Sequence, residues 1–250
     1  MSMRKCNYKA VFKPIHSLSI DERAVMTRLY LMHYDNADEE MFFRDLDAKT
    51  EVDILYCEDE LIGFSTLLLY DEEWRGQTVQ VAYSGDTIVQ RDHWGQQALS
   101  SAWLRRLGRL LAGNPSIPIY WFLLVKGHRT YRFLPSFALE FYPSPDIEQP
   151  DLKLFADQLA AKKFGLNYNP ATGIVEFEYS LGNLKEEFAY PSERELKNPA
   201  VRFFLEKNPN YLKGHELVCL CRVASDNLKR FARRIFEDGI KSMSIGEEQP

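Results

Sequence analysis

Residues 78–111 hold the side chains best spaced to do chemistry: an alternating run, TVQVAYSGDTIV, passes through a polar loop, QRDHWGQQA, into an amphipathic stretch rich in leucine. A loop between a strand end and a helix start gathers unpaired backbone N–H groups at the positive end of a helix dipole, a setting suited to phosphate. Gly95 lies in that loop and Gly85 in the run before it. A glycine inside a strand marks a bulge or a close approach to the backbone. A second concentration of reactive types follows the apolar run 117–125, where His128, Arg129, Tyr131 and Arg132 gather just past the C-terminal end of an expected strand. Ligands of open α/β sheets bind at that end, and Tyr131, Phe133, Phe137, Phe141 and Tyr142 predict an apolar substrate wall there.

Both patches need elements to position them. Val79, Val81 and Tyr83 share one strand face, with Gln80, Ala82 and Ser84 on the other. Leu99, Ala102, Trp103, Leu107, Leu110 and Leu111 recur at helical spacing, leaving Arg105, Arg106 and Arg109 as a solvated face near the negative helix end. Ser19 and Glu22 have the spacing of a capping box and open a helix carrying Val25, Met26, Leu29 and Met32. Apolar runs at 54–57 and 61–70 around Glu58, Asp59 and Glu60 predict a hairpin. After the prolines at 143, 145 and 150, a helix is expected from Asp151, with Leu152, Phe155 and Leu159 on one face. Strands follow at 173–179 and 215–223, with 182–214 inserted between them and a helix over 200–207 within that insertion. A last helix carries Leu228, Phe231, Ala232 and Ile235 inward and Lys229, Arg230, Arg233 and Arg234 outward, and the acidic end 246–250 reads as disordered.

Composition narrows the function classes. A chain of 250 residues, 45% hydrophobic, can bury a sizeable core. Its formal charge of −5 and pI near 5.6 give no pull toward nucleic acid or an anionic membrane. No apolar run approaches the roughly 20 residues that span a bilayer, and the N-terminal stretch lacks the apolar region of a signal peptide, so a cytoplasmic location is expected. The four cysteines, Cys6, Cys57, Cys219 and Cys221, read as reduced structural thiols. No second Cys or His pair at zinc spacing follows Cys219 and Cys221, so no metal site is expected.

The order of strand, V-x-x-x-x-x-G loop, long helix and buried strand resembles the core of GNAT-type N-acetyltransferases, from about residue 8 to 125 and more loosely to 224. That family's loop pattern, V-x-P-x-Y-R-G-x-G-x-G, falls on residues 89–99. Val89 and Gly95 match, His93 stands for the aromatic, Trp94 for the arginine, and Gln97 and Leu99 for two glycines. The Ile62-Gly63-Phe64 run resembles the family's hairpin, and Phe164-Gly165 its closing helix end, which makes 126–150 an insertion. The resemblance implies an α/β (α+β) fold on a mixed, largely antiparallel sheet flanked by helices, one domain over 1–250 with C-terminal insertions. It implies acetyl-CoA as co-substrate, its pyrophosphate wrapped by the backbone of Trp94, Gly95, Gln96, Gln97 and Ala98, and its thioester carbonyl polarised by N–H groups at Ile88 and Val89. Tyr131, then Tyr142, would protonate the departing thiolate. Asp86, then His128, would take the proton from the attacking amine, although Asp86 beside Gly85 can instead bond local backbone. No cysteine lies near that site, so direct attack is expected rather than a covalent acyl-enzyme. The acceptor is a small-molecule or peptide amine, and a homodimer is the assembly that terminal strands and exposed insertions allow. The rival reading, which Gln97 and Leu99 favour, is a GNAT-like ligand-binding or protein-interaction module without catalysis.

Overall fold

A computed structural model describes residues 6–177 and 182–244. The expected strand end at 178–179 and the acidic end 246–250 lie outside the described residues. Strand β1 (Tyr8–Pro14) leads to helix α1 (Ile20–His33), whose capping box closes both ways: Ser19 Oγ accepts from the Glu22 N–H and Glu22 Oε2 from the Ser19 N–H. The two-residue β2 (Tyr34–Asp35) and α2 (Glu39–Asp47), capped by Asp38, follow. Three strands then run as an antiparallel meander, β3 (Glu51–Cys57), β4 (Glu60–Trp74) and β5 (Gln77–Val89), the first turn taken by Glu58 at positive φ and the second by Arg75 and Gly76. The expected hairpin is thus present and longer than its apolar runs. Helix α3 (Ala98–Gly113) crosses over to β6 (Ile119–Val125), which lies parallel to β5.

Beyond β6 come two short helices, α4 (His128–Tyr131) and α5 (Phe133–Phe137), then α6 (Pro150–Phe164), which ends at Gly165 with φ +54. Four brief pieces follow: β7 (Tyr168–Asn169), β8 (Ile174–Val175), β9 (Asn183–Leu184) and α7 (Glu186–Ala189). After α8 (Glu193–Leu196) and α9 (Pro199–Lys207), strand β10 (Glu216–Val223) and helix α10 (Arg230–Ser244) complete the described chain.

Eight strands form one mixed sheet in the order β1-β3-β4-β5-β6-β10-β8-β7, antiparallel at every step except β5 to β6. The period-2 alternation of each strand supplies two buried faces. One face, with Ile54, Phe64, Val81, Tyr83, Phe122 and Val218, packs under α1, α2 and α6. The other, with Leu67, Ala82, Trp121, Leu123 and Cys219, packs under α3 and α10. Those two helices cross at glycines: a Cβ on Gly108 would stand 2.1 Å from the Phe236 carbonyl, and one on Gly239 2.2 Å from that of Arg105.

Several sequence expectations change. Arg106 is no solvated residue, because Glu51 pairs with it through both Nε and Nη2. Phe231 and Met32 face outward, and Phe236 takes the inward place on α10. Cys219 and Cys221 are buried thiols as expected, whereas Cys6 and Cys57 form a disulfide instead of the reduced thiols expected. No helix among the described residues is long and apolar enough to cross a membrane.

Candidate functional site

The parallel pair β5/β6 runs only from Gln80–Ile119 to Ser84–Leu123. Past that rung β5 continues against β4, up to Val89 opposite Gly63, while β6 continues against β10, up to Val125 opposite Leu217. The two halves of the sheet therefore part, and a cavity of about 900 Å³ occupies the cleft. Trp121 Nε1 donates to Ser84 Oγ at 2.9 Å, tying β6 to β5 just before the strands part.

A bulge re-aims β5 where the strands part. Ser65 pairs with Thr87 and Leu67 with Ser84, so Gly85 and Asp86 together oppose Thr66. A Cβ on Gly85 would lie 2.5 Å from Thr66 Oγ1 and 2.8 Å from Lys49 Cε, because the buried Lys49 side chain crosses the bulge to reach Asp45. Gly63 has a related duty, since a Cβ there would stand 2.7 Å from the Ile88 carbonyl. Beyond the bulge, the Gln90 N–H bonds the Ile62 carbonyl. Antiparallel alternation then turns the Ile88 amide to β4 and those of Thr87 and Val89 to the cleft. Of the two expected donors, the Val89 amide faces the cleft and the Ile88 amide faces β4, although both residues line the cavity.

Asp86 projects into the cavity among charged and phenolic groups. Burial, reinforced by the Asp45 carboxylate and opposed by Lys126 and Lys49, holds its pKa up at about 6. Burial, the Asp86 charge and a hydrogen bond to Asp86 keep the Tyr34 hydroxyl protonated. Lys126 sits 3.1 Å from Glu216 and 5.3 Å from the centre of the Tyr34 ring, and donates to the Gly182 carbonyl. Lys126, Glu216, Tyr34 and Asp45 had no part in the sequence reading. Glu216 could have been found from strand register, which sets it one step past Leu217–Val125 and so beside Lys126.

The mouth lies between the loop before α3 and the start of α4. Trp94 Nε1 donates to the Val89 carbonyl at 2.8 Å, and the Arg129 guanidinium lies 4.5 Å from the indole. Arg129 also donates to the Phe188 carbonyl and pairs with Glu195. Burial opposes ionisation of Glu195, but Ser192, Arg129 and His128 together pull its pKa down to about 2. His128 is buried, with Nε2 3.4 Å from Glu195 and its pKa lowered by burial first and by Arg129 second. Its Nδ1 has no hydrogen-bond partner among the described residues. His128 lines the cavity at this mouth.

The loop carries backbone features that could hold an anion. Gly95 has φ +88, and a Cβ there would enter open space. Gln97 caps α3 without a side-chain bond, and the first turn of α3 carries no acid. Gln96 Oε1 accepts from the Leu99 N–H, while the Leu99 side chain packs inward with Leu55 and Ile62. Trp94, Gly95 and Gln96 line the cavity; Gln97 and Ala98 stand behind them, outside its lining. These features fit a phosphorylated, thioester-bearing arm: an amide turned to the cleft, a glycine in the left-handed region, a helix start, and Arg129 and Arg132 on the facing wall.

Tyr131 and Tyr142 are the expected site residues that fold elsewhere. Tyr131 is fully buried under Phe203 and Phe204 with its hydroxyl donating to the Pro143 carbonyl at 2.7 Å, and it does not line the cavity. Helical spacing sends it to the opposite side of α4 from Arg129. Tyr142 bridges to Leu220 and sets its hydroxyl beside Gly173. Of the expected aromatic wall, only Phe133 and Phe137 line the cavity.

No protein-family model matches the chain, and no curated protein matches it. Among solved structures it is similar to a conserved protein of unknown function from Enterococcus faecalis V583, described as a probable N-acyltransferase, at 14% identity and a TM-score of 0.40, covering 54% of this chain and 33% of that one. It is similar to a GCN5-related N-acetyltransferase from Kribbella flavida at 15% identity and a TM-score of 0.38, covering 53% and 33%. It is also similar to the GNAT family N-acetyltransferase YhbS from Escherichia coli in complex with CoA, at 17% identity and a TM-score of 0.38, covering 53% and 71%. The chain thus spans about a third of the length of the first two, and about half of it takes part in each overlap.

Proposed function

We propose that the protein transfers an acyl group from acetyl-CoA or a related acyl-CoA to an amine. The parting of β5 and β6 over a carboxyl group with a pKa near 6 carries this reading. A thioester laid along β5 would meet the Val89 N–H, and Asp86 is ionised at neutral pH yet basic enough to take a proton. In the reaction the amine nitrogen bonds to the carbonyl carbon, the carbon–sulfur bond breaks, the nitrogen's proton passes to Asp86 and CoA departs as thiolate. Tyr131 and Tyr142 have no part, and Tyr34 is the protonated phenol nearest the base. The carboxylates and rings of Asp86, Glu216, Tyr30 and Tyr34 suit a small-molecule or peptide amine as acceptor.

Calorimetric titration with acetyl-CoA and CoA, followed by product analysis on a panel of primary amines, tests the reading. Binding that Gly95→Trp abolishes, with turnover that Asp86→Asn abolishes while binding survives, is the expected pattern. Absence of binding at millimolar concentration overturns it. The Trp94–Arg129 contact across the mouth favours a second reading, a ligand-binding module, which binding without transfer to any amine would support.

A further inference from the structure

Three potential metal ligands meet where the sequence offered no zinc spacing. Cys6 just before β1, Cys57 at the end of β3, and His93 in the turn between β5 and α3 bring ligand atoms within 4.8 Å of one another, all three half-buried. The two cysteines are 51 residues apart in sequence and 5.7 Å apart between Cα atoms, and are joined as a disulfide. A disulfide needs no imidazole beside it, yet the ring is held there. Tyr8 packs edge-on against it and sets its hydroxyl 3.1 Å from Nδ1, as an outer partner does for a ligating histidine. That bond leaves Nε2 to bind a metal.

We propose that reduction of Cys6–Cys57 converts this corner into a site for a thiophilic divalent cation, zinc, held by two thiolates and His93. A dithiol or phosphine reductant supplies two electrons and, with two protons from water, breaks the S–S bond to give two thiols. Zinc then displaces both thiol protons, forms two Zn–S bonds and one Zn–N bond, and keeps a fourth position for water. Zn–S bonds of about 2.3 Å in a tetrahedron set the sulfurs roughly 3.8 Å apart, a separation the side chains reach by rotation with the backbone in place. Two thiolates neutralise the ion. The disulfide and the metal exclude each other, so the corner has two covalently distinct states, and His93 ties both to the loop that precedes α3.

The test titrates the full chain, with and without prior reduction by a phosphine, with zinc against a chromophoric chelator and separately with cobalt(II). Reduced protein is expected to bind one equivalent, to give the thiolate-to-cobalt charge-transfer band, and to protect Cys6 and Cys57 from alkylation as mapped by mass spectrometry. Unreduced protein should bind none. Cys6→Ser should abolish binding, and Tyr8→Phe should weaken it roughly tenfold or more. Cys221→Ala should leave it unchanged, since that thiol is buried within β10. Reduced, folded protein that binds no zinc, that binds it equally well as His93→Gln, or that leaves both cysteines open to alkylation overturns the proposal. Circular dichroism of each variant separates a lost site from a lost fold. Because zinc, cobalt and alkylation are read without acyl-CoA, this result stands apart from that of the transferase reading.

Discussion

Replacing Asp86 with asparagine should stabilise the protein while destroying the proposed activity, and both effects should depend on pH. In the fold, burial and the Asp45 charge hold the Asp86 pKa at about 6, against an ordinary value of 3.8. Below about pH 4 the group is protonated both folded and unfolded and makes no difference to stability. Between those two values the unfolded chain ionises first, so stability falls as pH rises, and above about pH 6 the loss is complete. At about 1.4 kcal/mol for each pKa unit, the loss reaches about 3 kcal/mol, an upper figure because water reaches part of the side chain. Asparagine resembles the protonated acid and does not ionise. The stability of Asp86→Asn relative to the natural protein should therefore rise by up to about 3 kcal/mol between pH 4 and 8, or roughly 6–12 °C in Tm. Urea denaturation of both proteins at each pH unit measures it. Asp53 is also buried, which pushes its pKa up, but it is common to both proteins and cancels from the difference. A difference that stays constant across pH would refute the assignment of Asp86 as an ionisable group strained by its site. For the natural protein, kcat/KM should fall about tenfold per pH unit below pH 6 as the base is protonated.

Gly85→Ala should displace the Lys49 side chain that crosses the bulge, costing about 1–3 kcal/mol in urea denaturation and lowering turnover by more than the fold loss explains, since Asp86 moves with it. Gly108→Ala drives a methyl group into the Phe236 carbonyl of α10, so about 3 kcal/mol or more of stability should be lost, measured the same way, with cavity ligands unaffected in the protein that stays folded. Tyr131→Phe should leave turnover unchanged and cost about 1 kcal/mol, the worth of its bond to Pro143; a large loss of kcat without unfolding would return Tyr131 to the chemistry.

What could be read from the sequence was what depends on neighbours along the chain. The capping box at Ser19, the bulge glycine, the hairpin after β3 and the strand, loop and helix around Gly95 follow local rules of spacing and backbone freedom, and each folds as its pattern predicts. Misplaced residues were those whose surroundings are set by distant segments. Tyr131 follows a strand end just as a site residue would, yet α9, some 70 residues on, covers it with Phe203 and Phe204. Glu51 on β3 captures Arg106 of helix α3, and Cys6 finds Cys57 only because β1 and β3 pair in register. Lys126 and Glu216 look like the polar fringes of two apolar runs until β6 and β10 are laid side by side.

The departures from the glycine-rich loop pattern fall unevenly on its possible functions. Leu99 stands where that pattern has a glycine, and its side chain packs with Leu55 and Ile62 beneath the sheet while the residue still lines the cavity. Gln97, with φ −113 and ψ 1, needs no glycine at all, whereas Gly95, at φ +88, sits where a side chain would be strained. Within the loop, Gly95 is thus the position whose backbone demands glycine. Trp94 is the substitution with a consequence, because its indole bonds Val89 and meets Arg129, which itself is anchored to Phe188 and Glu195 in the inserted segment. Loop and the segment 182–214 thus meet over the same cleft, and under the proposed function selection among ligands would fall to this mouth, where the arginine that could hold a phosphate is the one already resting on the tryptophan.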